Sequence, residues 1–562
     1  MKLKRLSIGT LGLLAVSGFA WSCSGKSEDC NANLNCAPYG GEVGYGGSSG
    51  AASASGSSGT SGATGGMNGK GGSSSSGSGN SGDGGADAAA GSGGAMPPAC
   101  DGSLSPEVDG CVISDEYGVF VSAAGSDTDG KGTQAAPFAT VTGALAQLDQ
   151  IKHVYVCAAD YVEPETLEIP DRVSIYGGFS CDGGAWKYDS PFPAHLLSAR
   201  PIGATITSAK VGVLIQDLRI DAANAPEDGT GASSFGMLII ESKAVVLKHV
   251  EIRAGKGGKG KTGSDGATGL DGVDSGDVQK GVAGTCTNPP TSLTGAQPVQ
   301  KICESQGGLG GTAFVANTYS VMQDGSPGYL VSPSNGGKGG DVFGQPGTRG
   351  QDGAQSMQGD AGEAAPALGM FSATGYKVAN GGTGVAGKPG QGGGGGGASL
   401  GSASCIGATG GAGGMGGCGG DPGVGGTGGG ASVALLSWQS MVSLDGCKLT
   451  ANTGGAGGDG GKGHAGGSGK TGGSGGPKMG TVGKGGDGGS GGDGADGGNG
   501  AGGTGGPSIA LVYDIPVNAI TLPTYGVATT PSAPGKGGTF GKPGPDGSKG
   551  LTQETYSPPS QL

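Results

Sequence analysis

Aromatic side chains are scarce in this sequence: ten Phe, thirteen Tyr and three Trp make up 5% of 562 residues. So few large apolar groups cannot fill an ordinary core throughout the chain, so any such core belongs to part of it only. Positive charge is also short. Lys and Arg number 32 against 45 Asp and Glu, for a net charge of −13, and this excludes the basic footprint of nucleic-acid binding. Beyond the N-terminus no apolar run is long enough to span a membrane. His153, His195, His249 and His464 are scattered, with neither metal nor triad spacing, and no cysteine pair has zinc spacing. No Gly-x-Ser-x-Gly elbow stands between a strand and a helix.

What the chain has instead is glycine, 138 residues of it, and in long stretches the glycine keeps phase. It falls at 257, 260, 263, 266, 269 and 272, and again at every third position from 381 to 396 and from 535 to 550. A flexible linker has no reason to hold such a period. A polyproline II helix does, with three residues per turn, and Gly on one edge lets another backbone approach closely. In the block 453–507 the phase runs over 454–475, 480–492 and 494–506. Each break reads as a turn between straight segments. Runs of this length span about 40–50 Å at 3.1 Å per residue, and matched lengths point to a bundle of antiparallel polyproline II segments with X and Y side chains facing outward. Two other readings stay open on composition: an unfolded Gly-rich chain, and a collagen triple helix, suggested by the stretch 541–547.

The N-terminus carries an export signal, with a basic start at residues 1–5 and a short apolar stretch from Leu6 to Ala20. The sequence Ala20-Trp21-Ser22-Cys23 resembles a bacterial lipobox, which implies lipidation at Cys23 and display at the outer membrane or cell surface. Ordinary signal-peptidase cleavage and secretion is the alternative. Residues 23–99, rich in Ser and Gly without phase, read as a disordered tether. Sequential cysteines suggest short-range disulfides: Cys30 with Cys36, Cys100 with Cys111, Cys157 with Cys181, Cys286 with Cys303, and Cys405 with Cys418. Sequence does not fix this connectivity.

Order is expected from residue 100. The segment Val121–Thr133 with its Gly/Asp turn is followed by Pro137, Phe138, Thr140 and Val141. It resembles the opening of pectin-lyase-like right-handed β-helix proteins. A capping helix is expected over 139–150, with Val141, Ala144, Leu145 and Leu148 on one face. Four runs then share one apolar pattern: Ile215/Leu218/Ile220, Leu247/Val250/Ile252, Leu444/Cys447/Leu449 and Val517/Ile520/Leu522. Inward residues at i and i+2 after a bend suit one rung of a parallel β-helix. The second and third runs align without gaps at an offset of 197, which also matches Met237 with Ala434 and Val250 with Cys447. Cys447 therefore reads as a buried small hydrophobe.

The expected fold is mainly β: a right-handed parallel β-helix spine carrying Gly-X-Y polyproline II insertions. The divisions are a signal peptide at 1–22, the tether at 23–99, the helix start with its cap at 100–254, an insertion at 255–431, a rung at 432–452, an insertion at 453–507, a rung at 508–524 and a Gly-X-Y segment at 525–562.

Candidate chemistry is thin. Asp217, Arg219 and Asp221 flank the inward residues Leu218 and Ile220 and are the best candidates for a polysaccharide-processing site, against a plain solvated ion pair. Asp127 and Asp129 provide the only Ca²⁺ reading, against a turn held by Asp side chains; no other cofactor is implied. The export signal, tether and Gly-rich blocks together resemble Gly-rich, PGRS-like lipoproteins of myxobacterial type, which implies location more than activity. The reading that follows is a structural or adhesive envelope protein binding matrix polysaccharide or other cells, with the membrane reached through the lipid anchor alone. The alternatives are a β-helix polysaccharide lyase or hydrolase, and an ice- or surface-binding protein. For the last, Lys259, Asp459, Lys462, Lys484, Asp487 and Asp493 would interrupt the required flat face.

Overall fold

The apolar runs stack in register. Ile215 pairs with Leu247 and Leu247 with Leu444, while Ile220 pairs with Ile252 and Ile252 with Leu449. All six side chains are buried, and each contributes about 1.5–3 kcal/mol by leaving water. The computed structural model describes residues 100–559, apart from 149–152, 190, 192, 275, 316–322 and 330–333. The signal peptide, the tether and Cys23 lie outside the described residues. So do Cys30 and Cys36: the disulfide expected between Cys30 and Cys36 is not among the four bonds that join described cysteines.

Strands along the chain are dealt in turn to three long sheets, here A, B and C. One turn of the coil uses His153–Cys157, Asp160–Glu163 and Leu167–Glu168; the next uses Ser174–Ser180, Ala194–Ser198 and Ile202–Thr207; a third uses Val213–Gln216, Leu218–Asp221 and Ser234–Ile240. Pairing between successive turns is parallel throughout. This is a parallel β-helix with one narrow core. Among the described residues most of the larger aromatics sit outside it, with Phe120, Tyr155, Tyr176 and Phe179 clustered on the outer side of sheet A near the start of the spine.

The cap is shorter than expected. The helix runs Val141–Ala146 with Thr140 as N-cap. Asp127 draws the amides of Ala139 and Thr140 out of the helix, and the buried carboxylate of Glu163 takes those of Val141 and Thr142.

Two expectations about the rungs are corrected. Met237 pairs with Leu435, not Ala434. The link from sheet C to sheet A is one residue shorter in the later turn, so sheet C repeats at 198 while sheets A and B repeat at 197. In a strand that one residue exchanges inside for outside. In the fourth run, Ile520 and Leu522 are exposed at 65% and 82%. Ala519 and Tyr525 hold the places under Leu444 and Leu449 instead.

The Gly-rich blocks all leave from the same corner, between sheets B and C: after Arg253, after Thr450 and after Gly526, returning at Ser432, Ser508 and Thr552. Because the rungs stack, the blocks stack as layers. Glycine amides of 257–272 donate every third residue to carbonyls of 453–468, from Gly257 to Thr453 (3.0 Å) through Gly272 to Ser468 (2.9 Å). Within the second block, 455–476 runs outward and 485–506 runs back beside it, from Gly506 to Gly455 (2.8 Å) through Gly485 to Gly476 (2.9 Å). Contact with a given neighbour at every third residue is the period of polyproline II, not the period of two of a strand. The one turn in this hairpin is at Met479 and Val482. The phase break at 493 is not a turn, since the return segment passes straight through it. It has glycine on two edges at once, for two different neighbours, and so each segment is longer than expected, about 65 Å.

Segment 409–430 lies at the centre. It bonds to 258–270, 381–396, 455–476 and 486–504, and its glycines face carbonyls so closely that an added Cβ would stand less than 3.0 Å away. Many Asp side chains do not point outward as expected. Asp265, Asp271 and Asp459 accept the amides of Lys462, Ser468 and Lys536 in the next layer, satisfying donors that polyproline II geometry leaves over.

The disulfides of the first insertion are also corrected. Cys100–Cys111 and Cys157–Cys181 join near neighbours as expected. The insertion, however, is closed by Cys286–Cys405 and Cys303–Cys418, not by Cys286 with Cys303 and Cys405 with Cys418. Residues 405 and 418 are held roughly 35–40 Å apart by the extended chain between them, far beyond the reach of a disulfide.

Candidate functional site

Along sheet B burial alternates, and every second side chain faces out. Parallel register turns these into two columns. One contains Asp160, His195, Arg219, Glu251, Lys448 and Thr524; the other contains Val162, Leu197, Asp221, Arg253, Thr450 and Gly526. At about 4.8 Å per strand the face is roughly 24 Å long.

Its charges are paired within the face. Arg219 grips Asp221 through two nitrogens at 2.5 and 3.0 Å. Arg253 holds Glu251 at 2.5 Å and reaches Asp221 at 4.0 Å. Lys448 holds Glu251 at 2.9 Å, and His195 holds Asp160 at 2.9 Å. Partial burial alone would raise the Glu251 carboxyl, but the hydrogen bonds from Lys448 and Arg253 outweigh it and keep the group below its ordinary range. The hydrogen bond to Asp221 raises Arg219 above an already high value. A carboxylate held ionised is a poor general acid, and a guanidinium held protonated is a poor base.

Arg219 and Asp221 thus share the outer face, but Asp217 does not. It sits at the corner between sheets A and B with φ 54° and is 2% exposed. Its carboxylate accepts from the Tyr188 hydroxyl, from Gln216 Nε2 at 3.1 Å and from His249 Nδ1 at 3.2 Å. Burial, with Asp217 alongside, pushes the Tyr188 phenol well up. Grouping Asp217 with its neighbours assumes an unbroken strand; the left-handed residue turns its side chain away. His249 and Gly446 occupy the equivalent corners of the next two turns, with φ 52° and 61°.

Asp127 is engaged by the cap, accepting from the amides of Ala139 (2.8 Å) and Thr140 (3.0 Å) and from the Thr140 hydroxyl (2.7 Å). The amide of Asp129 donates to Ser126 Oγ in the same turn. Among the described residues no group of three or more His, Cys, Asp or Glu is placed to hold a metal ion. Cys447 is buried and unpaired, and burial raises its thiol, which disfavours the reactive thiolate.

Where sheet B passes into the Gly-rich layers there is a cleft of about 620 Å³. Arg253, Thr450, Asn452, Thr453, Thr529 and Thr530 line it. The four threonine hydroxyls have no hydrogen-bond partner among the described residues. Glu251, Arg253, Lys448 and the threonines were not singled out from sequence, although the 197-residue repeat already aligns Glu251 with Lys448 and Arg253 with Thr450.

No family model matches this chain, and no curated protein matches it. Among solved structures a rhamnogalacturonan lyase is similar at 16% identity, over 25% of this chain and 38% of its own, with a TM-score of 0.15. The chain thus spans well under half of that protein. With a likeness this slight, the fold rests on the strand register itself. No helix of the described residues is long and apolar enough to cross a membrane. The four disulfides among the described residues suit an oxidising compartment.

Proposed function

We propose that this is an exported, lipid-anchored envelope protein that binds polysaccharide without cleaving it. The spine supplies the binding face, and the Gly-rich layers supply a stiff lateral arm. The observation that carries the reading is the contrast between the two parts of the face: the charges on sheet B are paired with one another, while the adjoining cleft presents threonine hydroxyls without partners among the described residues. Hydroxyls beside the Arg253 guanidinium, which shares Glu251 with Lys448, suit the hydroxyls and occasional carboxylates of a neutral or weakly acidic glycan. Lipidation at Cys23 would hold the protein at the cell surface.

The test is to incubate the purified mature protein with a panel of polysaccharides in the presence of Ca²⁺ and to follow both retention and chain length. Retention of one polymer at unchanged length is expected. Shortened chains would overturn the reading in favour of a depolymerase.

A further inference from the structure

The third Gly-rich layer is short. Residues 533–538 run out over the second layer and 544–550 run back. Its carbonyls at Ala533 and Lys536 receive the amides of Gly457 (2.9 Å) and Gly460 (2.7 Å), and its amides at Gly535 and Gly538 donate to Gly503 (2.8 Å) and Gly500 (2.9 Å). It then turns away at Gly541, φ 60°. Asn499 sets the stop: its Oδ1 accepts from Phe540 N at 3.0 Å and its Nδ2 donates to the carbonyls of Phe540 (2.5 Å) and Lys542 (2.6 Å).

The second layer continues beyond that stop, and the same two rows go on without a covering strand. The acceptor row, the carbonyls of Gly485, Gly488, Gly491, Gly494 and Gly497, has no backbone donor among the described residues. Side chains close most of the donor row instead: Gly463 N donates to Asn499 Oδ1 at 3.0 Å, and of the amides beyond it only Gly472 N has no partner among the described residues. Gly466 N donates to Asp496 at 3.3 Å, Gly469 N to Asp493 at 2.9 Å and Gly475 N to Asp487 at 2.8 Å, each carboxylate standing where the next carbonyl of a third layer would stand.

We propose that this shelf, residues 463–475 with 485–497, is a self-association surface on which a second copy of the chain docks shelf to shelf, with Asp487, Asp493 and Asp496 as the latches that keep it closed in the single molecule. The occupant follows from three features of the shelf. The chain's own hairpin already sits on the near half through the same rows, so a Gly-X-Y backbone fits there. The donor and acceptor segments run antiparallel, so a two-fold axis lays the donor row of each copy over the acceptor row of the other. And the shelf is about 37 Å long, with unpaired polar backbone of the kind that recruits another chain at a sheet edge. This inference does not depend on the polysaccharide reading.

The test compares the mass in solution of the full mature protein and of D487A/D493A/D496A by sedimentation velocity over a concentration series. Wild type is expected to dimerise only weakly, at the top of the series, and the triple variant at least tenfold more tightly. D487A/D493R/D496A, which puts two guanidinium groups across the two-fold axis, is expected to stay monomeric. A triple variant that associates no more tightly than wild type overturns the proposal, and so does an arginine variant that dimerises equally well. If the triple variant does not fold, the single change Asp493→Ala, at an exposed side chain, carries the test: it must still shift the protein toward dimer.

Discussion

Cys418 is bonded to Cys303, 115 residues earlier in the chain, and it lies midway along the most enclosed Gly-rich segment. The bond ties the centre of the bundle to the loop that wraps it. Its neighbour Cys286–Cys405 closes a loop of 119 residues that overlaps the first. Loops of this size gain about 4–5 kcal/mol each in the chain-entropy account, less where the two closures overlap. The double variant C303S/C418S is expected to lose about 2–5 kcal/mol and to melt at lower temperature. Peptide mapping without reduction checks the pairing itself; a 405–418 linked peptide would contradict it.

The second prediction concerns packing without side chains. Gly413 faces the carbonyl of Gly393 so closely that a Cβ would stand under 3.0 Å from it. Gly413→Ala is expected to cost about 1–3 kcal/mol or more, whereas Ala456→Ser, at an exposed position, is expected to change stability by less than about 0.5 kcal/mol. Chemical denaturation of the two variants side by side reads the difference.

Binding at the cleft separates from stability. Thr529→Val and Thr530→Val remove hydroxyls that have no hydrogen-bond partner among the described residues. Together they are expected to weaken retention of the bound polymer about fivefold or more, at roughly 1 kcal/mol per lost hydrogen bond, with the melting temperature unchanged. Equal binding would move the site elsewhere on sheet B.

Arg219→Ala probes the ladder. It leaves Asp221 with Arg253 at 4.0 Å as its nearest cation. The pair is only partly buried, so the expected loss of stability is about 1 kcal/mol or less. A larger loss in thermal unfolding would mean that the ladder holds the spine together.

Acid should loosen the layers. Asp271 is held below its ordinary range by the Ser468 amide and Lys470. Burial alone would raise Asp487, but the Gly475 amide and Lys484 outweigh it. A lowered carboxyl adds stability that is present above the unfolded-state value, about 3.9, and is lost as pH falls through the folded-state value. His153 acts in the same sense from higher pH: burial lowers it, so stability is lost as pH falls from about 6.5. Melting temperatures measured from pH 7 to 2 should therefore decline in two stages. Hydrogen exchange should show segment 100–112, beside His153, loosening before the Gly-rich layers do.

The spine was legible because a rung repeats a short apolar pattern, and the repeat aligned Leu247 with Leu444 in the true register. The glycine period was legible for the same reason. What the sequence hid were relations that depend on a single residue or on distant segments. One residue fewer between Trp438 and Val442 displaced Ala434 from the place of Met237. One left-handed residue took Asp217 off the face of Arg219. The phase break at 493 looked like a turn because a segment with two glycine edges has the same local spelling as a bend. The partners of Cys286 and Cys303 were set by which segments lie side by side, and local spacing carries no trace of that. The ladder on sheet B was spelled out in the 197-residue repeat but became a site only once both columns were stacked.

All three insertions leave the spine at one corner, and from this a rule of growth follows. Lengthening an insertion by one Gly-X-Y triplet on each limb extends the arm by about 9 Å and leaves every rung untouched. Adding a rung thickens the arm by one layer and leaves its reach untouched. Reach and thickness are thus written in separate parts of the sequence, and descendants of such a chain can vary either dimension without disturbing the other.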